Sequence, residues 1–181
     1  MKKNQTLMRL VYTGLFSAII FLGTFIFKIP TGIGYVHLGD GFIYAAATIL
    51  PLPYAMAAAA IGGGLADLLS GYALWIPATV LIKALSVVFF KSYAPKLLCV
   101  KNVLAMIFGA TLNIVGYYAF GSLVQGNWVA CIAEIPFNAV QEAAGAIVFT
   151  FLALSLDLTK GVKRAISRHL GTESKEKSQQ K

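Results

Sequence analysis

Charge is scarce in this 181-residue chain: Asp, Glu, Lys and Arg make up 12% of it, and acidic side chains number seven. A soluble domain carries roughly a quarter charged residues, so an ordinary water-soluble globule is excluded. The two cysteines, Cys99 and Cys131, form neither a disulfide framework nor a zinc-ligand spacing. There is no G-x-x-x-x-G-K-[ST] loop, no H-E-x-x-H and no cluster of His and Cys. ATP hydrolysis by this chain, a resident metal and a bound cofactor are therefore not expected. The polar residues form no nucleophile and base pair at the spacing a reaction needs, which argues against an enzyme.

What the chain has in excess is apolar surface, with 58% hydrophobic residues and a mean hydropathy of +0.75. Six apolar segments follow one another, at about residues 10–27, 35–49, 54–69, 77–90, 102–124 and 135–158. The first is too long for the 7–15-residue apolar region of a signal peptide and reads as a transmembrane helix. The expectation is an all-α integral membrane bundle of six spans in one domain, 1–171, with a polar, disordered tail over 172–181. The second segment has about fifteen residues where about twenty normally span. A re-entrant hairpin built from the second and third segments is the rival arrangement.

The net charge of +8 would suit nucleic acid, but its placement beside apolar runs is that of membrane topology. With six spans, thirteen Lys and Arg fall on the side of the termini (Lys2, Lys3, Arg9, Lys91, Lys96, Lys101 and seven from Lys160 onward). Lys28 lies opposite and Lys83 within a helix. Both termini are accordingly placed in the cytoplasm, and Cys99 and Cys131 on opposite faces.

Polar groups inside apolar runs are the informative ones, because an ionised side chain near a bilayer centre costs roughly 2.5–3.5 kcal/mol even on lenient scales. Here they gather toward the outer face: Asp40, Asp67, Lys83, Glu134, Asn138, Gln141 and Glu142. With Tyr35, His37, Tyr72, Trp75, Asn113, Tyr117 and Tyr118 they would line a pocket whose aromatic walls suit a flat heterocycle. The plainer reading of the aromatics is an interfacial belt, and of Asp67 with Lys83 a structural pair. Asn138, Gln141 and Glu142 share a helix face, either toward a ligand or in interhelical hydrogen bonds. His37 is either a pH-sensitive gate or a polar loop residue. Gly14 and Ala18, extended by Ser17 and Gly23, form a small-residue seam for internal packing or for a separate membrane subunit.

Taken in order, these residues resemble the substrate-binding S components of energy-coupling factor (ECF) vitamin transporters. The likeness runs from about residue 7 to 157. It rests on Gly14 and Ala18, on Val36-His-Leu-Gly-Asp-Gly41 and on Leu65-Ala-Asp-Leu-Leu-Ser-Gly-Tyr72. Pro77-Ala-Thr-Val-Leu-Ile-Lys83, Asn113 with Tyr117, and Pro136-Phe-Asn-Ala-Val-Gln141 complete it. The resemblance implies a bundle in a bacterial plasma membrane that binds a vitamin or precursor from outside, with residues 28–37 as a lid. It implies docking through Gly14 and Ala18 onto a transmembrane T subunit driven by two ATPases. The pattern is nearest the branch for riboflavin, pyridoxine, hydroxymethylpyrimidine and queuosine precursors. The competing function is an ion-coupled secondary transporter with Asp67, Lys83 and Glu142 as relay, which lacks the internal repeat many such transporters show.

Overall fold

The computed structural model describes residues 2–94 and 96–172, and the tail expected to be disordered lies, beyond Thr172, outside them. The chain forms α1 (Lys2–Phe25), a two-stranded hairpin of β1 (Ile29–Pro30) and β2 (Tyr35–Val36), then α2 (Gly39–Ile49) and α3 (Leu52–Leu69). After these come α4 (Ile76–Ser86), α5 (Val100–Gln125), a single turn α6 (Trp128–Cys131), α7 (Ile135–Leu158) and α8 (Lys160–Leu170). Short 3-10 turns at Ala73–Trp75, Val87–Phe89 and Ile132–Glu134 join or extend the helices. The all-α expectation thus holds apart from the hairpin, in which Ile29 pairs with Val36 and Pro30 with Tyr35.

The helices close into a ring in the order α1, α3, α4, α5, α7, α2 and back to α1, with α2 also against α3. The second helix is the inner one: nine of its eleven residues are buried, from Gly39 through Thr48. A helix with apolar residues on every face is buried in protein or set in lipid, and here neighbouring helices cover it. Small residues let the neighbours come that close. A Cβ on Gly62 of α3 would lie 2.7 Å from the Ser17 carbonyl oxygen of α1, and one on Gly145 of α7 would lie 2.9 Å from Asp40 Cβ of α2. On the outside the large side chains face outward, among them Leu15 and Leu22 on α1, Ile107 and Phe108 on α5, and Ile147 and Phe151 on α7. Large apolar groups outside and alanine and glycine inside reverse the usual soluble pattern and match a lipid-facing bundle.

Four stretches are long and apolar enough to cross a bilayer, Asn4–Phe25, Leu52–Leu69, Val100–Gln125 and Trp128–Leu158. The segment Ala73–Phe89 is shorter, and α2, at eleven residues, reaches only about 16 Å at 1.5 Å per residue. Each of the six expected segments contains a helix, the second only from Gly39, but length alone supports four complete spans.

The basic loops gather at one end. Arg9 Nε and Nη2 donate to the Leu170 carbonyl at 3.0 and 2.9 Å, and Lys163 Nζ bonds Asp157 Oδ1 at 3.0 Å and the Ala94 carbonyl at 3.1 Å. These contacts seat α8, an amphipathic helix absent from the sequence expectation, against the end of the bundle, with Ile166 and Leu170 on the core. Gly171, in the left-handed region at φ +68°, ends α8. Thr172, which the sequence reading placed in the tail, is buried, its backbone N–H bonded to the Ser167 carbonyl at 2.9 Å.

The close crossings give a direct test. Gly62→Val and Gly145→Val should each destabilise the detergent-purified chain by about 1–3 kcal/mol through overpacking, read as a fall in thermal unfolding temperature. Gly14→Val, where a Cβ meets nothing within 4 Å, should leave that temperature unchanged.

Candidate functional site: a cavity beneath the hairpin

At the end of the bundle remote from α8, the walls part around a cavity of about 710 Å³, including the part open to solvent. Helical spacing builds two of its walls. Gly63 and Asp67 on α3, and Thr79 and Lys83 on α4, stand four residues apart and so share a face, and all four line the space. The third wall comes from Tyr117 and Tyr118 on α5, the fourth from Glu134, Asn138 and Gln141 at the start of α7. Pro77 and Pro136 in the first turns of α4 and α7 start those helices, since the ring presets φ and the missing N–H has no partner there anyway.

The hairpin covers the opening and is tied down on two sides. Glu134 accepts the Thr31 hydroxyl at 2.8 Å and the Ile33 backbone N–H at 3.3 Å. On the other side Tyr35 Oη donates to Asp67 Oδ1 at 2.5 Å, Tyr72 Oη to the Gly34 carbonyl at 3.2 Å, and Lys28 Nζ to Ser70 Oγ at 2.9 Å. Gly71, at φ +83°, provides the left-handed turn that brings Tyr72 back under the hairpin. The aromatic rings sit together: Tyr35 and Tyr72 have centroids 4.9 Å apart, and Trp75 and Tyr117 6.2 Å.

The floor is ionic. Lys83 Nζ bonds Asp40 Oδ1 at 2.6 Å, and Gln141 Nε2 bonds Asp40 Oδ2 at 2.8 Å; all three are nearly inaccessible. Lys83 also stands 5.1 Å from the Tyr117 ring centroid, a cation–π distance. This corrects the expected pairing of Lys83 with Asp67: the partner is Asp40, from the central helix, while Asp67 receives Tyr35.

Of the fourteen residues expected to line a pocket, eleven do: Tyr35, His37, Asp67, Tyr72, Trp75, Lys83, Tyr117, Tyr118, Glu134, Asn138 and Gln141. Asp40 sits behind the wall. Asn113 lies deeper on α5, its Nδ2 bonded to the Gly109 carbonyl at 2.9 Å, and Glu142 turns away to accept the Tyr44 hydroxyl. Thr24, Ile33, Gly34, Val36, Ile43, Gly63, Thr79 and Cys131 also line the space and were not anticipated. Gly63 and Thr79 had a signal, their four-residue spacing from Asp67 and Lys83. The hairpin residues had none, because they enter through the fold of the loop. Trp75 belongs to the cavity wall, whereas Trp128 is half exposed and packs edge-on against Tyr118.

The family model of the ECF-type riboflavin transporter S component matches residues 4–158. The chain belongs to this family. A solved structure titled "Structure and mechanism of the S component of a bacterial ECF transporter" shares the fold, with a TM-score of 0.62 over 82% of this chain and 94% of that one, at 21% identity. No curated protein matches the sequence. In this S component the small residues of α1 divide into two faces. Gly14 and Ala18 are exposed, while Ser17 and Gly23 are buried inside the bundle, Gly23 beneath the Phe42 ring.

The surroundings of His37 favour its neutral form. Its Nδ1 accepts the Gly39 N–H at 3.1 Å, and burial lowers its pKa from the usual 6.5 to about 4, against the opposing pull of Asp40 and with a smaller push from Lys83. The folded chain keeps this imidazole neutral where the unfolded chain binds a proton, so acid favours unfolding. Stability should fall as pH drops from about 6.5 toward 4. In His37→Asn, whose amide oxygen can accept the same N–H, thermal unfolding curves should show a shallower decline across that window.

Proposed function

We propose that this S component is the substrate-binding subunit of an ECF-type importer that captures a small, flat, heterocyclic vitamin or precursor from outside. The observation that carries the reading is the cavity beneath the hairpin. It combines aromatic faces from Tyr35, Tyr72, Trp75 and Tyr117 with polar contacts from Lys83, Asn138 and Gln141, the composition of a site for a ring bearing hydrogen-bonding groups. The hairpin is the lid, and the basic end, with both termini, faces the cytoplasm of a bacterial cell under the positive-inside rule. Riboflavin, named in the family's description, is the first compound to test, followed by pyridoxine, hydroxymethylpyrimidine and queuosine precursors.

Delivery inward rests on partners, a transmembrane T subunit and two ATPases, because this chain has no nucleotide-binding loop. The exposed pair Gly14 and Ala18 offers a flat strip on α1 where another helix can approach closely. For the ion-coupled alternative, the three relay groups have these bonded partners: Lys83 has Asp40, Asp67 has Tyr35 and Glu142 has Tyr44.

Native mass spectrometry of the purified chain, followed by titration with that panel, tests the reading. One compound should be retained or bind tightly, and Asn138→Ala and Gln141→Ala should each weaken it by about 1–3 kcal/mol if they bond the ring. Unchanged affinity in both variants would remove that site assignment. Transport by the chain alone in liposomes under an ion gradient, with nothing in the panel binding, would put the secondary transporter in its place.

The docking surface is tested separately. Gly14→Leu with Ala18→Leu should leave ligand binding to the isolated chain intact while abolishing co-purification with T and ATPase subunits and ATP-dependent uptake. Uptake at the normal rate would move the docking surface elsewhere.

A further inference from the structure

The cavity holds one cation among its described lining residues, Lys83, against the carboxyls of Asp67 and Glu134. That cation is already taken: Asp40 holds it at 2.6 Å from behind the wall, with side chains on both partners about 1% exposed. Asp40 is itself fixed. Its second oxygen accepts Gln141, and its backbone is pressed against α7 at the glycine crossing, where a Cβ on Gly41 would lie 2.7 Å from the Gly145 carbonyl oxygen. One carboxylate from the central helix therefore sets the direction of an ammonium on α4 and an amide on α7, both of which face the ligand space.

We propose that Asp40 is the positioning residue that sets the selectivity of the cavity: by neutralising and aiming Lys83, it makes the site accept an uncharged ring compound and reject its phosphate ester. This rests on the vitamin-binding reading above. A phosphate monoester carries about −1.5 to −2 charge at neutral pH. In this cavity it would meet the carboxyls of Asp67 and Glu134 while the one ammonium is engaged. Like charges brought together at a desolvated site repel strongly. Without the Asp40 charge, Lys83 would be a buried ammonium without its directly bonded carboxylate, and an anionic ligand would supply a counterion in its place. With Asp40 in place, the chain takes up the free compound and depends on phosphatase chemistry outside, and a kinase inside, wherever the phosphorylated form is the one supplied or needed.

The test uses the full chain in detergent and matched pairs: riboflavin with riboflavin 5′-phosphate, and pyridoxine with pyridoxine 5′-phosphate. Wild type should bind one parent compound at least about 100-fold tighter than its ester. Asp40→Asn, which keeps the shape and one acceptor oxygen, should lower that ratio at least about tenfold, mainly by tightening the ester. Adding Lys83→Met should restore discrimination, since the unpaired ammonium is gone; an Asp40 that merely supports the fold would not produce this reversal. If Asp40→Asn does not fold, Asp40→Glu, which keeps the charge, should still discriminate. A wild type that binds parent and ester alike, or a folded Asp40→Asn with the ratio unchanged, overturns the assignment while leaving the vitamin reading in place. A wild type that binds neither member of either pair overturns both.

Discussion

The structure turns on one ion pair, Lys83 with Asp40, both of whose side chains are about 1% exposed. A buried pair is weak evidence for stability, because desolvation offsets much of the attraction, yet removing one partner leaves an uncompensated charge and is strongly destabilising. In hydrocarbon the second half of that rule dominates. The pair therefore acts as a constraint on arrangement. It requires α4 to lie beside the N-terminal turn of α2, and Gln141 brings α7 to the same carboxylate. The ring of helices closes around that point, and the cavity is the space left above it.

Much of this arrangement was legible in the sequence. The six apolar segments, the polar groups at one end and the basic loops at the other all follow from counting charges inside and between apolar runs. The partner of Lys83 was not. Asp67 lies on α3, which precedes α4 in the chain, so sequence order favours it. Asp40 is 43 positions away, and only the central placement of α2 brings it into reach. Nothing in a one-dimensional pattern says which of two short apolar segments is wrapped by the others. The shortness of the second segment, about fifteen residues, was visible, but it left a re-entrant hairpin as a rival to six spans.

The cavity shows the same division. Residues on helices, such as Asn138 and Gln141, advertise themselves because a polar side chain in an apolar run needs an explanation. Residues on the hairpin do not, since polar loops are ordinary. The latch made by Glu134 with Thr31 and Ile33 joins positions about one hundred apart. The eighth helix was missed for a related reason. Its lysines and arginines read as topology charge, which hid the four-residue spacing of Lys163, Ser167 and Ile166 with Leu170 on its inner face. Reading a basic stretch only for its sign discards its periodicity.

The near-complete burial of α2 has a consequence for how the chain enters the membrane during synthesis. A segment of about 16 Å that opens with a carboxylate is too short to cross lipid by itself, and its counter-charge is made 43 residues later. Stable insertion of α2 must therefore wait for α4, and the seat that encloses it is complete only once α7 has left the ribosome. The packing of α2 is thus completed late, by helices that follow it in the chain.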